Sequence, residues 1–424
     1  MRVEQALELL PDLEALAPLR ALLFSISRTD DRGMWASAGP YLTVGKRDVS
    51  PPDLRRQLSR AVRAVSEHVH ALFTHYVDAL AHQQAGDSGD AVAALLAAGR
   101  LEQEVGLVRQ AEAWYALALN IAAGLQDRRP EVRALDALGH LCLSLGRYED
   151  GARNYQRALA LAEAEFDQAG AITACLGLGA VALERGEWPG VQAWYNRALR
   201  QAEAAADGAL LGRIHHALGE LARRQGDSAA AGEHLREARE RLEAAGDSHE
   251  VARVLNTQGQ VDAALGRGAA ATAVYREGLA WVRRGDPDPG LEVSIRLNLA
   301  QQQMDSGHLL EAEEEIRRTE QFAIAASLAA RLVQIYTLFG RLRGLQKEET
   351  GFVFFEQAVQ LARQLQCPPV AEAQVFYEYG VFKEALGQPD EARAYLERAQ
   401  ELLEGAGGHA ELERVKAELG RLTA

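Results

Sequence analysis

Glycine recurs in this chain at an interval that few folds accept. Gly106, Gly146, Gly186, Gly226, Gly266, Gly307 and Gly387 fall on one series with a step of 40 or 41 residues, and Gln346 or Lys347 holds its vacant station. Seven residues upstream of each runs a second small series: Gly99, Gly139, Gly179, Gly219, Gly259, Ala300, Gly340 and Gly380. Five residues past the turn comes a third, Ala111, Gly151, Ala231, Ala271, Ala312 and Ala392, with Val191 as its exception. Then follow Tyr115, Tyr155, Tyr195, Leu235, Tyr275, Ile316, Phe355 and Leu396, and after them Ala118, Ala158, Ala198, Ala238, Gly278, Thr319, Ala358 and Ala399. A periodic chain of this kind is an array of one supersecondary unit.

Each unit reads as a helix that ends near the turn glycine and a second that starts just after it. Glycine inside a helix costs about 1 kcal/mol against alanine, so its return in nearly every unit points to a steric need. The small stations are expected to let the two axes approach, and the Tyr155 series to fill the gap between neighbouring units. The turn glycine is expected in the left-handed conformation that closes a helix. Pro189 and Pro389 fall in the first turn of second helices, where a missing N–H is harmless.

The stretches "LGHLCLSLGRYEDGARNYQRAL" (138–159) and "LGAVALERGEWPGVQAWYNRAL" (178–199) carry these stations in full. They resemble the tetratricopeptide repeat (TPR) family in their Leu-Gly, Gly-aromatic, small, Tyr and Ala-Leu positions. The period departs from the family's usual 34 and is similar to that of Pins/LGN-type and MalT- or Rap-like arrays. The resemblance implies an all-α fold, a right-handed TPR superhelix (α-solenoid), with eight repeats over 92–406. It also implies a non-catalytic protein- or peptide-binding scaffold or adaptor that works through its concave face.

The ends depart from the repeat. Residues 408–424 read as a capping helix, with Leu412, Val415, Leu419 and Leu422 on one stripe, as a solenoid end requires. Residues 1–88 read as an N-terminal helical region with helices at 3–27 and 53–84 around an irregular stretch at 28–52. That stretch exposes Trp35 and Tyr41 and is open to three readings: part of the cap, a segment that docks in the chain's own groove or on a partner, or simple disorder.

Composition narrows the function. Lys and Arg number 46 against 60 Asp and Glu, a net charge of −14, which argues against nucleic acid and anionic membranes as partners. No apolar run reaches the roughly 18 residues of a membrane span. Three cysteines without CxxC spacing suit a reducing cytoplasm. His68, His75 and His82 recur every seven residues, about 10.5 Å apart along a helix and too far to share a metal ion. No P-loop, GxSxG or HExxH is present, so neither metal nor cofactor is expected and catalysis is not.

In such an array the first helices line the groove. Stations counted from the Gly139 series place Arg133, Asp136 and His140 there, then Arg213, His216, Glu220, Arg223 and Arg224, then Arg253, Asn256 and Gln260. Leu297, Gln301, Met304, Gln334, Thr337, Arg341, Gln374, Tyr377 and Glu384 follow, while the third repeat supplies only Leu176, Ala180 and Leu183. The groove Asn that family peptide sites use to clamp a backbone is replaced by Ala137, Gly177, Ala217 and Thr257, with Asn298 its single instance. The arginines suit an acidic or C-terminal segment through bidentate carboxylate pairing; alternatively they pair internally with Asp136 and Glu220. A second functional reading is a regulatory sensor of a signalling peptide or small ligand, with the N-terminal helices as its output.

Overall fold

The computed structural model describes residues 88–105, 107–285, 288–326, 328–365, 367–406 and 409–423, together with His75. The expected helix at 3–27, the stretch 28–52 with Trp35 and Tyr41, the rest of 53–84 with His68 and His82, and Gly106 lie outside the described residues. Seventeen helices and no strand occur among the described residues. They are α1 (Ser88–Val105), α2 (Val108–Ala123), α3 (Arg129–Ser144), α4 (Tyr148–Ala164), α5 (Gln168–Glu184) and α6 (Trp188–Ala205). Then come α7 (Gly208–Arg224), α8 (Ser228–Ala245), α9 (Ser248–Ala264), α10 (Gly268–Val282), α11 (Pro289–Asp305) and α12 (Leu309–Ala325). The last are α13 (Ala329–Leu345), α14 (Gly351–Gln364), α15 (Pro369–Ala385), α16 (Pro389–Ala406) and α17 (His409–Thr423). No described helix is long and apolar enough to cross a membrane.

The chain divides into two compact units. The described part of the first is residues 88–134 with 323–329. Its hairpin of α1 and α2 closes on Tyr115, whose ring would lie 2.3 Å from a methyl placed on Gly99. The Tyr115 hydroxyl donates to Gln103 Oε1 at 3.0 Å.

The second unit, residues 135–322 and 330–424, repeats that contact. A methyl on Gly139 would meet the Tyr155 ring at 2.8 Å, one on Gly179 the Tyr195 ring at 2.1 Å, and one on Gly259 the Tyr275 ring at 2.4 Å. Gly340 faces Phe355 in the same way at 2.5 Å. The room that glycine leaves is therefore taken mainly by a ring from the partner helix of the same hairpin, rather than by backbone approach. Tyr155 also reaches the next hairpin, where a methyl on Gly177 would lie 2.3 Å away. Close backbone approach does occur at Gly151, where a methyl would stand 3.3 Å from the Gly139 carbonyl. At the one station where alanine replaces the glycine, Ala300, the ring's station in the same repeat holds the slimmer Ile316, and both are fully buried.

The turns follow the expected chemistry. Gly146, Gly186, Gly226, Gly266, Gly307 and Gly387 have φ between 70° and 78°. Lys347, not Gln346, holds the vacant station, at φ 57°. A second periodic device accompanies them. Asp167, Asp207, Asp247 and Asp288 each cap a first helix, accepting from the backbone N–H of Gly170, Leu210, Glu250 and Leu291. Pro189 and Pro389 sit in the first turns of α6 and α16. At the C-terminal end Val415 is buried, and Leu412, Leu419 and Leu422 pack with it against Phe376, Leu396 and Leu403.

Candidate functional site

The first helices of the second unit place matching stations on one side. Arg213 of α7 acts electrostatically on Asp136 of α3, and Arg253 of α9 acts on His140 of α3. Side chains two and three hairpins apart in sequence thus lie within each other's field. His140 is exposed to solvent. The surrounding protein nevertheless holds its imidazole below the ordinary range, with Arg253 adding to the effect.

His216 is largely enclosed. Its side chain is 14% exposed, and burial brings its pKa down to about 4, helped by Arg253. His216 Nε2 lies 3.0 Å from Thr257 Oγ1. The Thr257 hydroxyl also reaches the Arg253 carbonyl, at 3.3 Å, so it bridges the imidazole and the α9 backbone. Glu250 Oε2 stands 4.0 Å from His216 Nδ1, and Glu250 Oε1 accepts from Arg253 Nη1 at 3.1 Å. Burial works against the Glu250 carboxylate, yet Arg253 and Arg213 hold its pKa below the usual value. Beside this cluster Asn298 Nδ2 donates to Asn256 Oδ1 at 2.8 Å.

Asp136 and Arg213 stand apart from these pairings. Asp136 is largely covered, and burial pushes its carboxyl up to about 6, with Arg213 pulling the other way. Among the described residues neither side chain has a hydrogen-bond or ion-pair partner.

A separate network occupies the end of α7. Arg223 grips Glu220 with two bonds, at 2.8 and 2.7 Å. Arg224 spans Glu220 at 3.0 Å and Glu184 at 2.7 Å. Internal pairing therefore engages Arg223 and Arg224 but not Arg213. Gln301 donates to Asp305 at 2.6 Å, and Gln260 lies partly buried on α9. Arg133 belongs to the first unit and is exposed. Further along, Arg341 pairs with Glu378 at 3.2 Å, and Arg414 covers the Tyr377 ring at 4.8 Å.

Three groove stations turn inward instead. Leu183, Met304 and Thr337 are buried, and Thr337 donates to its own Val333 carbonyl at 2.8 Å. Cys142 and Cys175 are buried too, and burial pushes the Cys175 thiol up to about 11. No group of three His, Cys, Asp or Glu among the described residues is arranged to hold a metal ion. His215 diverges from His216 and lies against His234 of α8, with the Nδ1 atoms 3.2 Å apart.

Station counting missed Glu250 and left Thr257 only as the residue in place of a clamp Asn. Glu250 had a signal. It is the fourth residue of "DSHE" (247–250), the Asp-x-x-Glu pattern that opens a helix.

Two segments, residues 132–165 and 373–402, match the model of the tetratricopeptide repeat. No curated protein matches the chain. Among solved structures, the apo form of the quorum sensor NprR from B. thuringiensis is 15% identical over 82% of this chain and 99% of its own, with a TM-score of 0.53. A Rap protein complexed with Competence and Sporulation Factor is 10% identical over 78% of this chain and 97% of its own, with a TM-score of 0.48. The Rap conjugation gene regulator of plasmid pLS20, in complex with the Phr* peptide, is 17% identical over 87% and 90%, with a TM-score of 0.46. The chain carries tetratricopeptide repeats. Its fold is the all-α packing of helical hairpins seen in such repeats, shared in outline with NprR.

Proposed function

We propose that the protein is a non-catalytic scaffold that binds a segment of protein or peptide along the first-helix face of its second unit. The observation that supports this is the uneven commitment of the polar groups there. His216 is bonded to Thr257, and Thr257 and Glu250 are in turn tied to Arg253, which together form a fixed base. Arg213 has no ion-pair partner among the described residues, and Arg253 keeps half of its side chain in solvent. Donors held in place but not consumed meet little ordering cost on binding, and guanidinium groups favour carboxylates.

The test is selection of random-sequence heptapeptides on the immobilised full-length chain, alongside an Arg213→Glu, Arg253→Glu chain of equal helicity. Peptides retained by the first and released by the second are the expected result. Equal retention by both chains, or none by either, would sink the reading.

A further inference from the structure

The strongest uncommitted feature of the groove is a pair of opposite charges that do not meet. Asp136 lies on α3 and Arg213 on α7; Arg213 acts on Asp136, and neither has a hydrogen-bond or ion-pair partner among the described residues. A largely covered carboxylate left without a partner is costly, and a free guanidinium within its field ordinarily swings across to pair with it. What separates them is α5. At the three stations where α3 carries Arg133, Asp136 and His140, and α7 carries Arg213, His216 and Glu220, α5 carries Thr173, Leu176 and Ala180. All three are partly buried, and the Thr173 hydroxyl is spent on its own Ala169 carbonyl at 2.9 Å. Ala137 and Ala217 flank this strip and are also partly buried. The result is an apolar step, poor in hydrogen-bonding atoms, with a carboxylate on one side and a guanidinium on the other.

Resting on the function proposed above, we infer that the groove takes a bipolar peptide segment: a cationic group seated at Asp136, apolar side chains on the Thr173–Leu176–Ala180 step, and a carboxylate at Arg213. The spacing is set by α5. Neighbouring helix axes lie about 8–10 Å apart, so α3 and α7, with α5 between them, stand two such steps or about 16–20 Å apart, which about five or six residues of extended chain cross at about 3.3 Å each. The cation can be a chain-terminal amine or a Lys or Arg side chain, and the carboxylate a C-terminus or an Asp or Glu. Both sources offer the same chemistry. The arrangement also explains why the groove tolerates an unpaired acid among arginines: the pair is completed by the ligand rather than by the protein. It is an inherently selective design, since a purely acidic segment leaves Asp136 buried against a like charge.

The experiment uses sequences recovered by the heptapeptide selection, remade with the cation neutralised (Lys→Gln, or an acetylated terminus) or the anion neutralised (Glu→Gln, or an amidated terminus). Each is titrated against the native chain, Asp136→Asn and Arg213→Gln by fluorescence anisotropy. Recovered sequences are expected to carry both charges about five residues apart around apolar positions. Losing the cation should weaken binding to the native chain about tenfold or more and leave Asp136→Asn unaffected. Losing the anion should do the same with respect to Arg213→Gln, and whichever form of each charge matters names its source. Recovered peptides that are only acidic, or charge losses felt equally by native and variant chains, overturn the bipolar reading while leaving the peptide-binding scaffold standing. Recovery of no peptide overturns both.

Discussion

At the scale of the residue, the repeat depends on one contact: a helix glycine under an aromatic ring. Gly259 is one such case, since a methyl there would stand 2.4 Å from the Tyr275 ring. Alanine gains about 1 kcal/mol of helix propensity over glycine, but forcing extra volume into a closed core costs about 1–3 kcal/mol or more. We expect Gly259→Ala to lose about 2 kcal/mol net. The chain contains its own remedy, because where Ala300 takes the glycine's station Ile316 takes the ring's, and both are fully buried. Tyr275→Ile alone leaves a cavity and should also destabilise. Gly259→Ala with Tyr275→Ile should be more stable than either single variant. Thermal midpoints of the three chains read this directly, and additive losses would show that the two residues do not share one space.

Among the elements, α17 has a role that its amphipathic stripe already announces. Without it, Phe376, Leu396 and Leu403 lose the cover of Val415, Leu412, Leu419 and Leu422. Burial of an aliphatic or aromatic side chain contributes about 1.5–3 kcal/mol, so uncovering several together strips the last hairpin of most of its support. Removing residues 409–424 should lower the thermal midpoint, raise binding of an apolar dye and promote association. Leu419→Lys should do so in milder form. An unchanged midpoint would mean that α15 and α16 end the array without help.

Taken as a whole, the second unit gathers titrating groups from several helices, and two of them pull its pH dependence in opposite directions. Folded Asp136 takes up its proton near pH 6, while its ordinary value is 3.8. Stability therefore rises as pH falls through that window. His216 behaves in reverse: its ordinary value is 6.5 and its folded value about 4, so stability is lost as pH falls between them. The native chain should show a shallow profile from pH 7 to 4 because the two slopes offset. Asp136→Asn removes only the first. It should stabilise the chain at neutral pH by about 1–2 kcal/mol and steepen its loss in acid. His216→Gln removes only the second and should make the chain gain stability toward pH 4. Unfolding midpoints across pH 4–8 separate the three, and an Asp136→Asn chain with the native profile would contradict the burial of that carboxyl.

What the sequence determined by itself is everything that recurs. The glycine, ring and small-residue series implied helix pairs, their turns and the C-terminal cap, because a repeated contact writes itself into every unit and can be read without coordinates. The first-helix stations also pointed to Asp136, Arg213, His216 and Arg253, since a helix face is set by its period. Tertiary structure alone decided which of those polar residues are spent and which remain available. Arg223 and Arg224 close on Glu220 and Glu184, His216 locks to Thr257, and Glu250 enters the cluster from a helix start, whereas Asp136 and Arg213 take no such partner among the described residues. Such pairings depend on how stacked hairpins bring α7 and α9 together. That stacking is the sum of small angles between successive hairpins, and no single station in the sequence records it.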